Sequence, residues 1–197
     1  YRYERPQHGR YREFHQFGGE IVNCDPSIHD VDVILLCASI IKRLGLEAST
    51  TLHINSLGSA ESMSQYRTLL KVSPQDVIKA GYFEQHQSSL SQESRNRFER
   101  GSYLRILDSK EEQDQEIIHS APSILDSLSS ESRDDVRRAP LTEQRLERVQ
   151  DGLKTLSVPF VLDPHLVRGL DYYDNIVFEF CSAIGSVIVC LCKGDES

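Results

Sequence analysis

Arg168 is the residue whose surroundings most demand chemistry. It stands in LVRGLDYY, between Val167 and Gly169, with Leu166 and Leu170 beyond them. Burying an unpaired guanidinium is costly, so an arginine in such a run must reach an anion, either a protein carboxylate or a ligand. Asp171 or Glu179 could supply the carboxylate, and the residues by themselves leave both readings open. Tyr172 and Tyr173 add rings with polar tips, suited to framing a small polar ligand. A second polar set opens the chain. If Arg10 to Glu20 runs extended, Arg10, Arg12, Gln16 and Glu20 point to one side, because strand side chains alternate. That side lines a polar site or is the solvated face of a hairpin.

The elements that must position these residues can be read from spacing. Residues 1–20 read as strand, turn, strand, with Pro6-Gln7-His8-Gly9 as the turn. Val31 to Leu44 is expected to be a helix, apolar over most of its circumference and so largely buried, with Gly45 as its stop. Thr50 to Asn55 alternates Leu52 and Ile54 against Thr51 and His53, the pattern of a half-buried strand that Gly58 breaks. Composition shifts from Glu61 onward, and a dozen serines lie between Gln85 and Asp135. Helical pieces are expected at Ala60 to Lys71, Gln92 to Arg100 and Leu141 to Leu156. In the last, Leu146, Val149, Leu153 and Leu156 form one apolar stripe. Residues 61–157 thus read as a helical module inserted into a β-rich core, against the alternative of a partly disordered linker.

Strand character returns with Val158 to Leu162, Leu166 to Tyr173 and Ile176 to Phe180, the last two separated by the turn pair Asp174-Asn175. The expected fold is α+β, an antiparallel sheet with packed helices interrupted by a helical insertion. Three parts follow: core at 1–60, insertion at 61–157, and core strands with a tail at 158–197.

Composition narrows the function classes. The chain has 197 residues, 39% hydrophobic and 26% charged, a soluble globular profile. Its formal charge of −8 excludes a general nucleic-acid coat, so any RNA contact needs a local cationic patch. The longest apolar run, Val33 to Ile41, falls far short of the roughly 20 residues of a membrane helix. The chain opens at Tyr1 without a signal segment and reads as the inside of a longer protein, expected in the cytoplasm and not on a membrane. Cys24, Cys37, Cys181, Cys190 and Cys192 contain no Cys-x-x-Cys pair, so free buried thiols are expected and no metal site.

Two segments resemble a known family. RYERPQHGRYREFHQFGGE resembles motif 2 of the class II aminoacyl-tRNA synthetases in its histidyl form, and LVRGLDYY resembles the histidine-binding signature of histidyl-tRNA synthetases. Between them, LHINSLGS, LRILDSK and APSILD are similar to the stretch leading into and through the bacterial-type insertion domain. The resemblance runs from Tyr1 to about Phe180.

The resemblance implies the class II sheet, with an insertion that leans on the tRNA acceptor stem. It implies a histidine–tRNA ligase: L-histidine and ATP give histidyl-adenylate, then the histidyl group passes to tRNA(His). ATP with Mg2+ is a substrate, there is no permanent cofactor, and the full-length protein is a homodimer. Residue by residue, Arg2 matches the arginine on the α-phosphate and Arg10 the one near the outer phosphates. Gln16 matches the glutamine at the α-amino group of histidine. Glu20 and Tyr173 match the groups at the two imidazole nitrogens, with Tyr172 beside them. Arg168 matches the catalytic arginine between the histidine carboxylate and the α-phosphate. Gln7, His8 and Gly9 match the loop that approaches the acceptor end.

Elementary chemistry agrees with those roles. Adenylation joins two anions while charge builds, which fixed guanidinium groups stabilise without reorganisation. Neutral imidazole offers one donor and one acceptor, which a phenol and a carboxylate can read. The pattern departs in lacking motif 1, motif 3 and an anticodon-binding domain, and FEFCSAIGSVIVCLCKGDES diverges from the family, so its apolar part (Ala183 to Cys192) is expected to lack a partner. Stretches around Ser73 to Phe83 and Arg137 to Thr142 lengthen the insertion. Residues 1–197 alone are therefore expected to be inactive in charging tRNA. The competing class is a non-catalytic synthetase-like module that senses histidine or tRNA.

Overall fold

Pro26 opens the first helix at a position where its missing N–H costs nothing, and Gly45 closes it. Helix α1 (Pro26–Arg43) ends with Gly45 at φ +71°, its N–H donating to the Lys42 carbonyl while Leu46 N–H reaches back to Ile41. That pair of bonds satisfies two carbonyls the helix would otherwise leave open. The computed structural model describes residues 12–15, 18, 19, 21, 26–58, 60–71, 81–124, 141–167, 175–182 and 185–191. The turn expected at Pro6 to Gly9 lies outside them. Where the second arm of that hairpin is described, Arg12 to His15 are exposed and carry no strand.

After α1, a short 3-10 turn (Glu47–Ser49) leads into β1 (Thr50–Ser56). The chain then passes through α2 (Ala60–Lys71), α3 (Tyr82–His86), α4 (Gln92–Glu99), α5 (Tyr103–Leu107), α6 (Glu112–His119) and α7 (Leu141–Thr155). It returns to the sheet with β2 (Val161–Leu162), β3 (Ile176–Ser182) and β4 (Gly185–Leu191). The order across the sheet is β2-β1-β3-β4. The pair β1–β3 is antiparallel, in keeping with the expected antiparallel sheet, and β3–β4 is antiparallel too, but β2 runs parallel to β1, so the sheet is mixed. The tail is a second departure from expectation. Gly185–Leu191 pairs along β3 as a hairpin strand, with Glu179 opposite Val189, and is not a segment without a partner.

One face of the sheet is apolar. Leu52 and Ile54 of β1 lie opposite Phe180 and Phe178 of β3, and α1 and α7 cover them with Ile34, Cys37, Ile41, Leu146, Val149 and Leu153. Only this stripe of α1 is buried: Leu36, on its far side, is 59% exposed. The expectation of a largely buried helix is corrected, because the sheet covers one face only. The α7 stripe also stops one residue early, since Leu156 is 51% exposed beyond the helix end.

The two helices are fixed to each other by polar and steric detail. Arg145 donates through Nε and Nη2 to the two oxygens of buried Asp30, at 2.5 and 2.7 Å. At Gly152 they come so close that a Cβ would sit 2.9 Å from Val31 Cγ2.

Helices α2 to α6 form a second apolar cluster around Tyr66, Leu70, Phe83, Leu90, Ile106 and Ile124, joined by Leu57, Leu166, Val167 and Val177 from the sheet region. A polar knot ties this module together. Asp114 of α6 is fully buried, and Oδ1 accepts from Ser91 N–H at 2.7 Å. Oδ2 accepts from the hydroxyls of Ser91, Ser94 and Ser109 at 2.8, 2.5 and 2.7 Å. Burial pushes the Asp114 carboxyl up, but the serine hydrogen bonds outweigh it and hold the group below its ordinary range.

Candidate functional site

The second face of the sheet is polar. Thr51, His53 and Asn55 alternate with the apolar residues of β1, and the register places them opposite Cys181, Glu179 and Val177 of β3. Glu179 and Asn55 are both buried, an unusual use of two polar side chains in neighbouring strands. This face is where the segment bearing Arg168 meets the sheet.

The approach to that segment is built from side chains that hold backbone. After β2, Asp163 N–H donates to the Ile54 carbonyl at 3.0 Å. The Asp163 carboxylate accepts from His165 N–H at 3.1 Å, a local turn of the kind aspartate favours. Its other oxygen accepts from His53 Nδ1 at 3.2 Å, which leaves the second ring nitrogen of His53 as the acceptor in the neutral form. His165 Nε2 donates to the Ala121 carbonyl at 3.1 Å, tying the approach to the helical module. The Asn55 amide nitrogen donates to two carbonyls, Pro164 at 3.2 Å and Leu166 at 3.0 Å. Leu166 and Val167 then enter the module's apolar cluster. They lie outside any strand, so the strand expected over Leu166 to Tyr173 does not start at Leu166; the rest of that range lies outside the described residues.

The exit is fixed equally closely. Asn175 takes φ +59°, a left-handed conformation that asparagine tolerates. Its N–H donates to the Gly58 carbonyl at 2.8 Å, and Leu57 N–H donates to its carbonyl at 2.6 Å. Residues 168–174 are thus flanked on one side by Leu166, bonded to Asn55, and on the other by Asn175, bonded to Leu57 and Gly58 just past β1.

The side chains expected to do the chemistry lie outside the described residues. These are Arg2, Gln7, His8, Gly9, Arg10, Gln16, Glu20, Arg168, Tyr172 and Tyr173, together with Asp171. Of the two carboxylates that could answer Arg168, Glu179 is placed, buried on the polar face. The supporting residues Asn55, Asp163 and His165 were not singled out by sequence reasoning. Asn55 had a signal: asparagine is disfavoured in strands, yet it continues the polar half of the Thr51, His53 alternation. Among the described residues, no group of three His, Cys, Asp or Glu side chains could hold a metal ion, and no helix is long and apolar enough to cross a membrane.

Comparison with known proteins matches this architecture to one family. The fold resembles the apo structure of histidyl-tRNA synthetase from S. aureus, with a TM-score of 0.50 and 27% identity over 79% of this chain and 31% of that one. The fold is therefore of the aminoacyl-tRNA synthetase class.

More narrowly, the chain belongs to the histidyl-tRNA synthetase family, whose description matches residues 1–188. It is 39% identical over 194 residues to a histidine–tRNA ligase of Streptococcus pyogenes and 41% identical over 180 residues to one of Rhodospirillum rubrum. Those alignments cover 98% and 91% of this chain. The likeness therefore extends past Phe180 into the segment that forms β4. The chain spans about two fifths of the length of these relatives, 41% and 39%.

Proposed function

We propose that the gene product carrying this chain is a histidine–tRNA ligase, activating L-histidine with ATP and passing it to tRNA(His). The observation that carries the reading is the family match over residues 1–188, which takes in both the opening motif and LVRGLDYY. Arg168 and Arg2 hold the reacting carboxylate and α-phosphate together, and Arg10 meets the outer phosphates. Gln16 binds the α-amino group, while Glu20, Tyr173 and Tyr172 read the imidazole. Gln7, His8 and Gly9 approach the acceptor end of the tRNA. Mg2+ enters with ATP. Residues 61–157 form the insertion between core parts 1–60 and 158–197, and the protein works as a cytoplasmic homodimer.

Two arginines around an incipient mixed anhydride act by position. They hold two anions within bonding distance and take up the charge that develops as pyrophosphate leaves, without moving. Arg168→Ala should therefore slow histidine-dependent exchange of pyrophosphate into ATP by about 100-fold or more, the loss of one preorganised donor. KM for ATP should change little. Unchanged turnover with only a raised histidine KM would make Arg168 a binding residue. A wild-type protein that binds histidine yet shows no exchange would favour a sensing module.

A further inference from the structure

We infer that Asn55 is a positioning residue for Arg168: its side-chain amide fixes the backbone leading into that arginine and so governs the rate of histidine activation. The inference rests on the ligase reading above. Three observations carry it. The Asn55 amide nitrogen spends both protons on the carbonyls of Pro164 and Leu166, the second only two residues short of Arg168. Beyond the signature, Asn175 is held by Leu57 and Gly58, so three residues of one short stretch, Asn55, Leu57 and Gly58, hold both flanks of residues 168–174. Finally, Asn55 is 0% exposed and its Oδ1 has no hydrogen-bond partner.

A buried acceptor left unanswered destabilises a fold. An amide that satisfies two carbonyls of another segment while its own oxygen goes unmet is placed for what it holds. Catalysis by fixed charge needs that kind of support, because a guanidinium displaced by about 1 Å can lose two orders of magnitude in rate. The neighbouring bonds add to the same frame: Asp163 to His53 and to His165 N–H, and His165 to Ala121. Those brace the approach from the side. Asn55 alone among them holds the backbone inside the last turn before the signature.

The test is a double-mutant cycle on pyrophosphate exchange in the gene product carrying this chain. Asn55→Ala, and Asn55→Asp as a same-shape variant without donors, should each lower kcat roughly 100-fold while KM for ATP and histidine stays within about threefold. In the Arg168→Ala background, Asn55→Ala should add almost nothing, because the group it positions is gone. Effects that multiply, or a change confined to KM, would overturn the inference. Amide hydrogen exchange gives a readout apart from activity. Asn55→Ala should lose protection at Leu166, Val167 and Asn175 and keep it in α7. Unchanged protection at those three amides would overturn the proposal even in an active enzyme, as would equal loss in α7, which would signal general unfolding. A wild type without histidine-dependent exchange would instead sink the ligase reading, and with it the role given to Arg168.

Discussion

Replacing Asp114 by asparagine keeps the shape of the buried knot and removes its charge. Four donors converge on the carboxylate: one backbone N–H and three serine hydroxyls. Hydrogen bonds to a charged acceptor are worth about 1.5–3 kcal/mol net, against about 1 kcal/mol for neutral ones, so removing charge assistance from four bonds costs roughly 4 kcal/mol. The Ser91 N–H cannot turn round, so the amide oxygen must stay on it and the NH2 group must face the hydroxyls. Hydroxyls can rotate to accept, and a neutral group is easier to bury, which together offset about 1–2 kcal/mol. The net loss is about 2–3 kcal/mol at neutral pH, read by urea unfolding followed through the helical circular-dichroism signal.

The pH dependence follows from the direction of the Asp114 shift. Its folded-state pKa lies below the ordinary value of 3.8, so the stabilisation is fully present above 3.8 and is lost as pH falls through the folded-state value. The gap between wild type and Asp114→Asn should therefore narrow on acidification below 3.8. A gap that stays constant through that range, or a variant as stable as wild type at pH 7, would refute the reasoning.

Two further predictions concern the helix pair that covers the apolar face. Asp30→Ala takes from the largely buried Arg145 guanidinium its bidentate carboxylate and should cost about 3–5 kcal/mol in the same urea assay; adding Arg145→Met should recover most of it. Gly152→Ala drives a methyl group to 2.9 Å from Val31 Cγ2 and should destabilise by about 1 kcal/mol despite alanine's better helix propensity. With Val31→Ala alongside, the sign should reverse, leaving the propensity gain visible as a rise in Tm.

The long helices were legible because their apolar spacing and ends agree. Gln92–Glu99 begins after Ser91, whose hydroxyl accepts the Ser94 N–H, and α7 ends within a residue of expectation. Helices α3 and α5 are five residues each, too short to show a period, and are held by the packing of Phe83, Leu104, Ile106 and Leu107. The residues of α1 say how much could be buried, not how much cover exists, which is why Leu36 is exposed in a helix whose pattern reads as largely buried. The pairing of β4 depends on its register with β3, a non-local fact. The site divides in the same way. Arg168 stands out by its own neighbours in the chain, whereas Asn55 and Asp163 act on carbonyls and amides that any sequence offers at every position.

The place of β1 in the sheet has a consequence for how the chain is made. Its two neighbours, β2 and β3, both come after the helical module, and 119 residues (57–175) separate its end from the start of β3. At a synthesis rate of about 5–20 residues per second, β1 waits roughly 6–24 seconds for its antiparallel partner. During that interval both its edges are open, the condition in which strands seek the wrong neighbours. The module can use the time. Most of its apolar cluster, from Leu57 to Ile124, is local in sequence, whereas the sheet must bring together segments more than a hundred residues apart. The helical layer would then stand ready when Leu166, Val167 and Val177 arrive to complete it. Folding order and the candidate site thus meet at the end of β1: its pairing with β3 is also what first brings both flanks of residues 168–174 together.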